Sequence, residues 1–275
     1  MDPAPAGEPR SPNKLLAALP DAAYEALRPS LERVRLQLKE VLFDVDQPIA
    51  YAYFPETSLV SVLGLARDGA AVETATIGRE GVVGLPLLFG TDRTPAQAFC
   101  QIQGDAVRVE AGAFCRLLEE QNALRAILGR YAQALFTLVA QSSACNRLHP
   151  ARQRCARWLL LTHDRIDRDE LALTHQFLSQ MLGVRRATVS EVAGELQADG
   201  VIECSYGKIT VRDRARLEHA SCECYGVIRH EFARLLDGRV LDHPLAGMRS
   251  SEGGKTTVGD GEPREPSPAA SRDQA

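Results

Sequence analysis

Between Val34 and Val109 the chain repeats short β-prone runs, VRLQL, VLFDV, AYAYF, SLVSVLGL, AAVETATI, AFCQI and AVRVE, separated by turn residues. Closely spaced strands of this kind predict a small antiparallel β-barrel or roll. The period then changes. Leu124, Leu128, Tyr131, Leu135, Leu138, Ser142 and Cys145 follow one another in alternating steps of four and three, the a/d spacing of a long helix with a heptad seam. Ile127 and Val139 supply a second apolar face for the roll, so the seam is expected to meet the same helix of a second copy. Pro150 disfavours helical geometry at His149 and ends the segment.

A third pattern begins at Ala151, with ARQRCARWLLLTHDRI, LALTHQFLSQMLG, VRRATVSEVAGELQADG and VIECSYGKITVRD. Thr174 is placed to cap a helix that turns Phe177, Leu178, Met181 and Leu182 inward, and Gly183 suits the left-handed residue past its end. A second helix buries Val189, Val192, Ala193 and Leu196. This is helix-turn-helix spacing, in which the start of the second helix enters the major groove. Arg185 and Arg186 then reach guanine O6/N7 or a phosphate, with Thr174, Gln176, Thr188, Ser190 and Glu191 on or beside the same face. Two short strands around Tyr206-Gly207 form a wing whose Lys208 touches the DNA backbone.

The fold class expected is α+β: residues 14–120 a β-roll, 121–148 a dimerisation helix, 149–216 a winged helix-turn-helix and 217–237 a C-terminal helix, with 1–13 and 238–275 disordered. The last stretch is dominated by Pro, Gly, Ser and charge and cannot bury enough apolar surface to order itself.

Composition changes this picture little. The 275 residues are 45% hydrophobic and 25% charged with a formal net charge of -4, enough for a core and more than one domain. Residues 146–216 nonetheless carry 12 Lys+Arg against 9 Asp+Glu, so the cationic excess falls on the module with the paired arginines. No apolar run reaches membrane-spanning length and the N-terminus lacks the order of a signal peptide, so the cytoplasm is the expected location. Seven scattered cysteines read as reduced, buried thiols. Cys222-Glu-Cys224 is the one close pair, and its gap is shorter than that of structural zinc sites. No metal and no cofactor are expected. There is no Walker A loop, dinucleotide fingerprint or nucleophile-base constellation, so an enzyme is not expected.

The order of parts resembles the Crp/Fnr superfamily of bacterial transcription regulators. NRLHPARQRCARWLLLTHDRI and LTHQFLSQMLGVRRATVSEVAGELQADGVI carry the resemblance most specifically. It implies a homodimer on a two-fold symmetric DNA operator and local contacts with RNA polymerase. It also places Arg186 as the base-contacting arginine, while Ala187 and Glu191 depart from the family pattern and imply a different operator. Cyclic-nucleotide binders of the family use Gly-Glu for the ribose and an Arg-Ser/Thr pair for the phosphate. Here the corresponding positions are Gly84-Leu85 and Pro95-Ala96; a two-residue gap would bring Arg93-Thr94 into register, with the glutamate still missing. The roll is therefore expected to be a scaffold that has lost the cyclic-nucleotide site, open to another small-molecule effector or to none. An N-terminal cysteine cluster for iron–sulfur chemistry is lacking, and His149, His163 and His175 lie in helical modules rather than at a haem. The alternative reading is a protein-interaction module that uses a degenerate winged helix for assembly.

Overall fold

The computed structural model describes residues 10–67, 69–166 and 168–237. Two short helices, α1 (Lys14–Ala17) and α2 (Asp21–Leu27), precede strands β1 (Glu32–Leu36), β2 (Val41–Phe43), β3 (Tyr51–Pro55), β4 (Leu59–Leu65), β5 (Ala71–Ile77), β6 (Ala96–Ile102) and β7 (Gly104–Glu110). They pair antiparallel in two sheets, ordered β1-β7-β3 and β2-β6-β4-β5, which makes the expected roll. Register pairs such as Val34↔Ala106 and Ala52↔Val109 hold β7 between its neighbours. The core between the sheets is closed by helix α3 (Ala111–Glu120), whose Phe114 packs edge-on against Phe54 at 6.1 Å.

The expected disorder of residues 1–13 does not extend to residues 10–13. Asn13 is fully buried, its side chain caps α1 and donates to the carbonyls of Pro55 and Gly81, and Ser11 donates to Glu56. A short polar segment can order when it satisfies backbone groups the roll would otherwise leave unpaired. The expectations for residues 1–9 and 238–275 lie outside the described residues.

Helix α4 spans Asn122–Leu148, and here the heptad reading needs correction. Leu124, Leu128, Tyr131, Leu138 and Cys145 are buried within the single chain, and Leu135 and Ser142 half-buried. They pack against the roll and against the helices that follow α4 in the same chain, so the buried ones are not available to a second copy. Tyr131 sits over the loop after β5 so closely that a Cβ on Gly81 would lie 2.3 Å from its hydroxyl, and only glycine fits there. Val139, expected against the roll, is exposed, as are Phe136 (68%) and Leu148. The heptad period is real, but a period identifies a face and not the partner that covers it.

The remainder packs as α5 (Ala151–Ile166), β8 (Glu170–Leu171), α6 (His175–Leu182), α7 (Arg186–Ala198), β9 (Ile202–Ser205), β10 (Lys208–Val211), α8 (Arg214–Ala220) and α9 (Cys224–Phe232), with a π-turn over Ala233–Asp237. The single C-terminal helix expected over 217–237 is instead two helices broken at Ser221–Glu223. The break lets α9 turn back along α4, where Phe232 meets Tyr131 edge-on at 6.4 Å. Strand β8, which periodicity missed at two residues, completes a small sheet in the order β8-β10-β9.

Candidate nucleic-acid interface

The Thr174 hydroxyl accepts from Phe177 N–H at 3.1 Å and starts α6. Gly183 ends it at φ 62°, donating back to Ser179 and Gln180 carbonyls, and the chain turns through Val184 and Arg185 into α7. Leu178, Met181 and Leu182 of α6 and Val189, Val192, Ala193 and Leu196 of α7 are buried between the two helices and α5. Arg152 fastens the base of α7 through Glu195 (3.3 Å) and Asp199 (2.5 Å). The first turn of α7 is thereby pushed outward while its far end is held.

Arg185 takes the extended N-cap position, without a side-chain cap, and Arg186 is the first helical residue. Both are exposed, and neither forms an ion pair or side-chain hydrogen bond among the described residues. Thr174, Gln176, Ser190 and Glu191 are exposed and Thr188 half-buried. Gln176, Arg185, Arg186 and Thr188 line one open groove. Ser190 differs: its hydroxyl donates to the Arg186 carbonyl and meets His175 Nδ1 at 3.1 Å, so it braces α7 against α6. Lys208 is exposed but ion-paired with Glu170 at 2.7 Å, so a phosphate must compete with that carboxylate. At the wing tip Tyr206 (φ 43°) and Gly207 (φ 78°) form the two central residues of a tight hairpin, with Ser205 opposite Lys208. The Tyr206 ring is fully exposed; an aromatic residue in a two-residue turn was the signal for it in the sequence.

The groove has a second wall that sequence reasoning did not find. Gly69, Ala70, Ala71 and Val72, the tip of the β4–β5 hairpin, line it opposite the helix-turn-helix. Behind the tip, Phe99 packs edge-on against Phe177 at 6.3 Å, and the Glu73 carboxyl accepts from Ser61 and from the Trp158 indole N–H. Loss of hydration there pushes the Glu73 carboxyl up to about 7.

In the roll, Gly84, Leu85, Arg93, Thr94, Pro95 and Ala96 come together around a cavity of about 350 Å³. Its other walls include Phe43, Val62, Ile77, Val83 and Leu135, the last contributed by α4. Arg93 does not point a free charge into this space: its guanidinium donates to the Asp46 carbonyl and lies 3.9 Å from Asp92. Among the described residues, acidic groups are absent from the cavity wall.

Residues 153–220 match the family model of the Crp-like helix-turn-helix domain. No curated protein matches the sequence. Among solved structures, the chain is similar to FixK2 from Bradyrhizobium japonicum, at 19% identity and a TM-score of 0.61 over 70% of this chain and 98% of that one. It is also similar to the c-di-GMP responsive global regulator CLP from Xanthomonas campestris, at 16% identity and a TM-score of 0.58 over 70% and 100% of the two chains. A CRP-family transcriptional regulator from Thermus thermophilus gives 22% identity and a TM-score of 0.57 over 68% and 96%. The chain has the α+β fold of Crp/Fnr transcription regulators, and its residues 153–220 match the Crp-like helix-turn-helix domain.

Proposed function

We propose that this chain regulates transcription by binding a two-fold symmetric DNA operator as a homodimer. The observation that carries this reading is the pair of exposed arginines at the outward end of α7, which have no side-chain partner among the described residues. Arg186 reads a guanine through its two-donor fork, while Arg185 and Lys208 neutralise phosphates and Tyr206 lies along the backbone. The copies meet along the exposed stripe of α4, Phe136, Val139, Ala140 and Ser143, whose large aromatic and small neighbours suit a helix–helix contact. Contacts with RNA polymerase then convert occupancy into a change of transcription.

The roll does not take a cyclic nucleotide in this reading. Leu85 cannot accept a ribose hydroxyl proton, and Pro95 has neither charge nor N–H. The apolar cavity instead suits a small hydrophobic effector, sensed through Leu135 of α4. Calorimetry with millimolar cyclic AMP is expected to give no binding heat; micromolar binding would restore Arg93 and Thr94 as phosphate ligands.

The reading is tested by selecting bound fragments from a random DNA pool with the purified full chain. Enrichment of two inverted half-sites, centred roughly 34–36 Å apart or a multiple of that, supports it. Retention of all sequences alike, or of none, sinks it and favours an assembly role for the winged module.

A further inference from the structure

Three thiols and one imidazole converge where α4 ends. Cys145 lies in the last turns of α4, His149 in the extended joint before α5 (φ −111°, ψ 145°), and Cys222 and Cys224 at the break between α8 and α9. Their ligand atoms all lie within 4.8 Å of one another. Cys145 Sγ is 3.4 Å from Cys222 Sγ, and His149 Nδ1 is 3.5 Å from Cys224 Sγ. The three thiols are almost wholly buried, at 0%, 4% and 1% exposure, and they form a cluster of their own, separate from both hydrophobic cores.

We propose that Cys145, His149, Cys222 and Cys224 bind one zinc ion, which fixes the joint between the long helix and the DNA-binding module. A tetrahedral ion with metal–sulfur bonds near 2.3 Å and metal–nitrogen bonds near 2.0 Å needs sulfur–sulfur edges of about 3.8 Å and sulfur–nitrogen edges of about 3.5 Å. The Cys145–Cys222 and His149–Cys224 separations are close to these and every other pair lies within 4.8 Å, so side-chain adjustments of an ångström or less admit a single ion, whereas a two-iron cluster would need its ligand pairs spread much further apart. The set of three cysteines and one histidine is a known structural zinc set, and soft thiolates favour such a metal over magnesium or calcium. With four protein ligands the site is closed, leaving no position for a substrate.

The surroundings fit a metal rather than ordinary packing. His149 Nε2 donates to the Glu223 carboxylate at 3.1 Å, which turns the Nδ1 lone pair toward the sulfurs. Gln141 donates to Cys224 Sγ at 3.1 Å. Binding releases the three thiol protons, so the ion and three thiolates carry one net negative charge. The nearly buried Arg157 guanidinium, beside Ser142 one turn from Cys145, offsets it. The pairing joins residues more than seventy positions apart in the chain, which is why the one-residue gap of Cys222-Glu-Cys224 does not resemble a local zinc motif.

The test is a metal analysis of the full chain purified without chelator, followed by replacement with Co²⁺. One zinc per chain and the thiolate charge-transfer and tetrahedral bands of cobalt are expected. Cys145→Ser, Cys224→Ser and His149→Ala should abolish both, while Cys204→Ser, in the wing, should retain them. Glu223→Gln keeps every ligand and should weaken zinc retention against a competing chelator by about 10–100-fold. That variant and the cobalt spectrum of the wild-type chain remain decisive if ligand variants do not fold. A fully reduced wild-type chain that binds neither zinc nor cobalt overturns the proposal, as does a Cys145–Cys222 disulfide in the freshly purified protein or an unaltered affinity in Glu223→Gln.

Discussion

Arg93 at the mouth of the roll cavity and Arg186 at the start of α7 are both exposed arginines beside a concave surface, yet they are held differently. Arg93 is tied to the Asp46 carbonyl and approaches Asp92, so its charge is already answered by the protein. Arg186 has no such partner among the described residues and stands at the edge of an open groove. The wall of the roll cavity is mostly apolar and its one arginine is engaged within the chain, while the groove before α7 is edged by arginines whose side chains are unengaged among the described residues. An exposed cation already held by a carbonyl or carboxylate must give up that contact before it meets an outside anion, whereas one without such a contact meets it at no such cost.

Four substitutions test this contrast. The largest effect is expected from Phe136→Asp, which puts a charge on the exposed stripe of α4 and should separate the copies of the proposed dimer. Loss of the second module should weaken operator binding by roughly 100-fold or more, since linked modules gain that much from effective concentration. Sedimentation must then report a monomer; an intact dimer would move the interface elsewhere. Next comes Arg186→Ala, expected to cost about 1–3 kcal/mol on the selected operator and to relax choice at one base pair in each half-site. An equal loss on every sequence in a base-by-base scan would reduce Arg186 to a phosphate contact.

A smaller effect joins the two regions through Glu73. Its carboxyl is raised toward about 7 by burial, so the folded chain holds a proton that the unfolded chain releases near 4.5. Stability from this group is complete below about 4.5 and is lost as pH rises through about 7. Glu73→Gln should flatten the fall in melting temperature over that window, by on the order of 1 kcal/mol. An unchanged pH profile would show that the carboxyl titrates normally. The smallest effect is expected from Arg93→Ala, within about 0.5 kcal/mol in stability and without change in operator choice, measured by denaturant titration and the same base scan. A large loss of DNA binding there would erase the distinction between the two arginines.

Much of the fold was legible because its signals are local. The seven β-prone runs become β1 to β7, and Thr174 and Gly183 bound α6 through capping and a left-handed turn, chemistry that needs no distant partner. The long helix was legible as a helix, but its seam was assigned to a second copy because α9, which lies against it, is separated by the whole winged module. The same separation hid the approach of His149 to Cys224, and the ion pair between Lys208 and Glu170 was hidden by the strand pairing of β8 with β10 that brings them together. At the candidate interface, the positions of Arg185 and Arg186 followed from helix phase. The β4–β5 hairpin opposite them did not, because nothing in a strand pattern states which surface its tip will face.

That hairpin has a thermodynamic consequence. Val62 of β4 lines the roll cavity, and the tip of the same hairpin walls the groove in front of α7, where Val72 and Gly183 lie on facing walls. In the proposed function, a duplex in the groove and an effector in the cavity would touch one hairpin at opposite ends. Under that proposal, whatever factor the occupant applied to operator affinity the operator would apply to the occupant in return, so each promoter would set its own effector threshold.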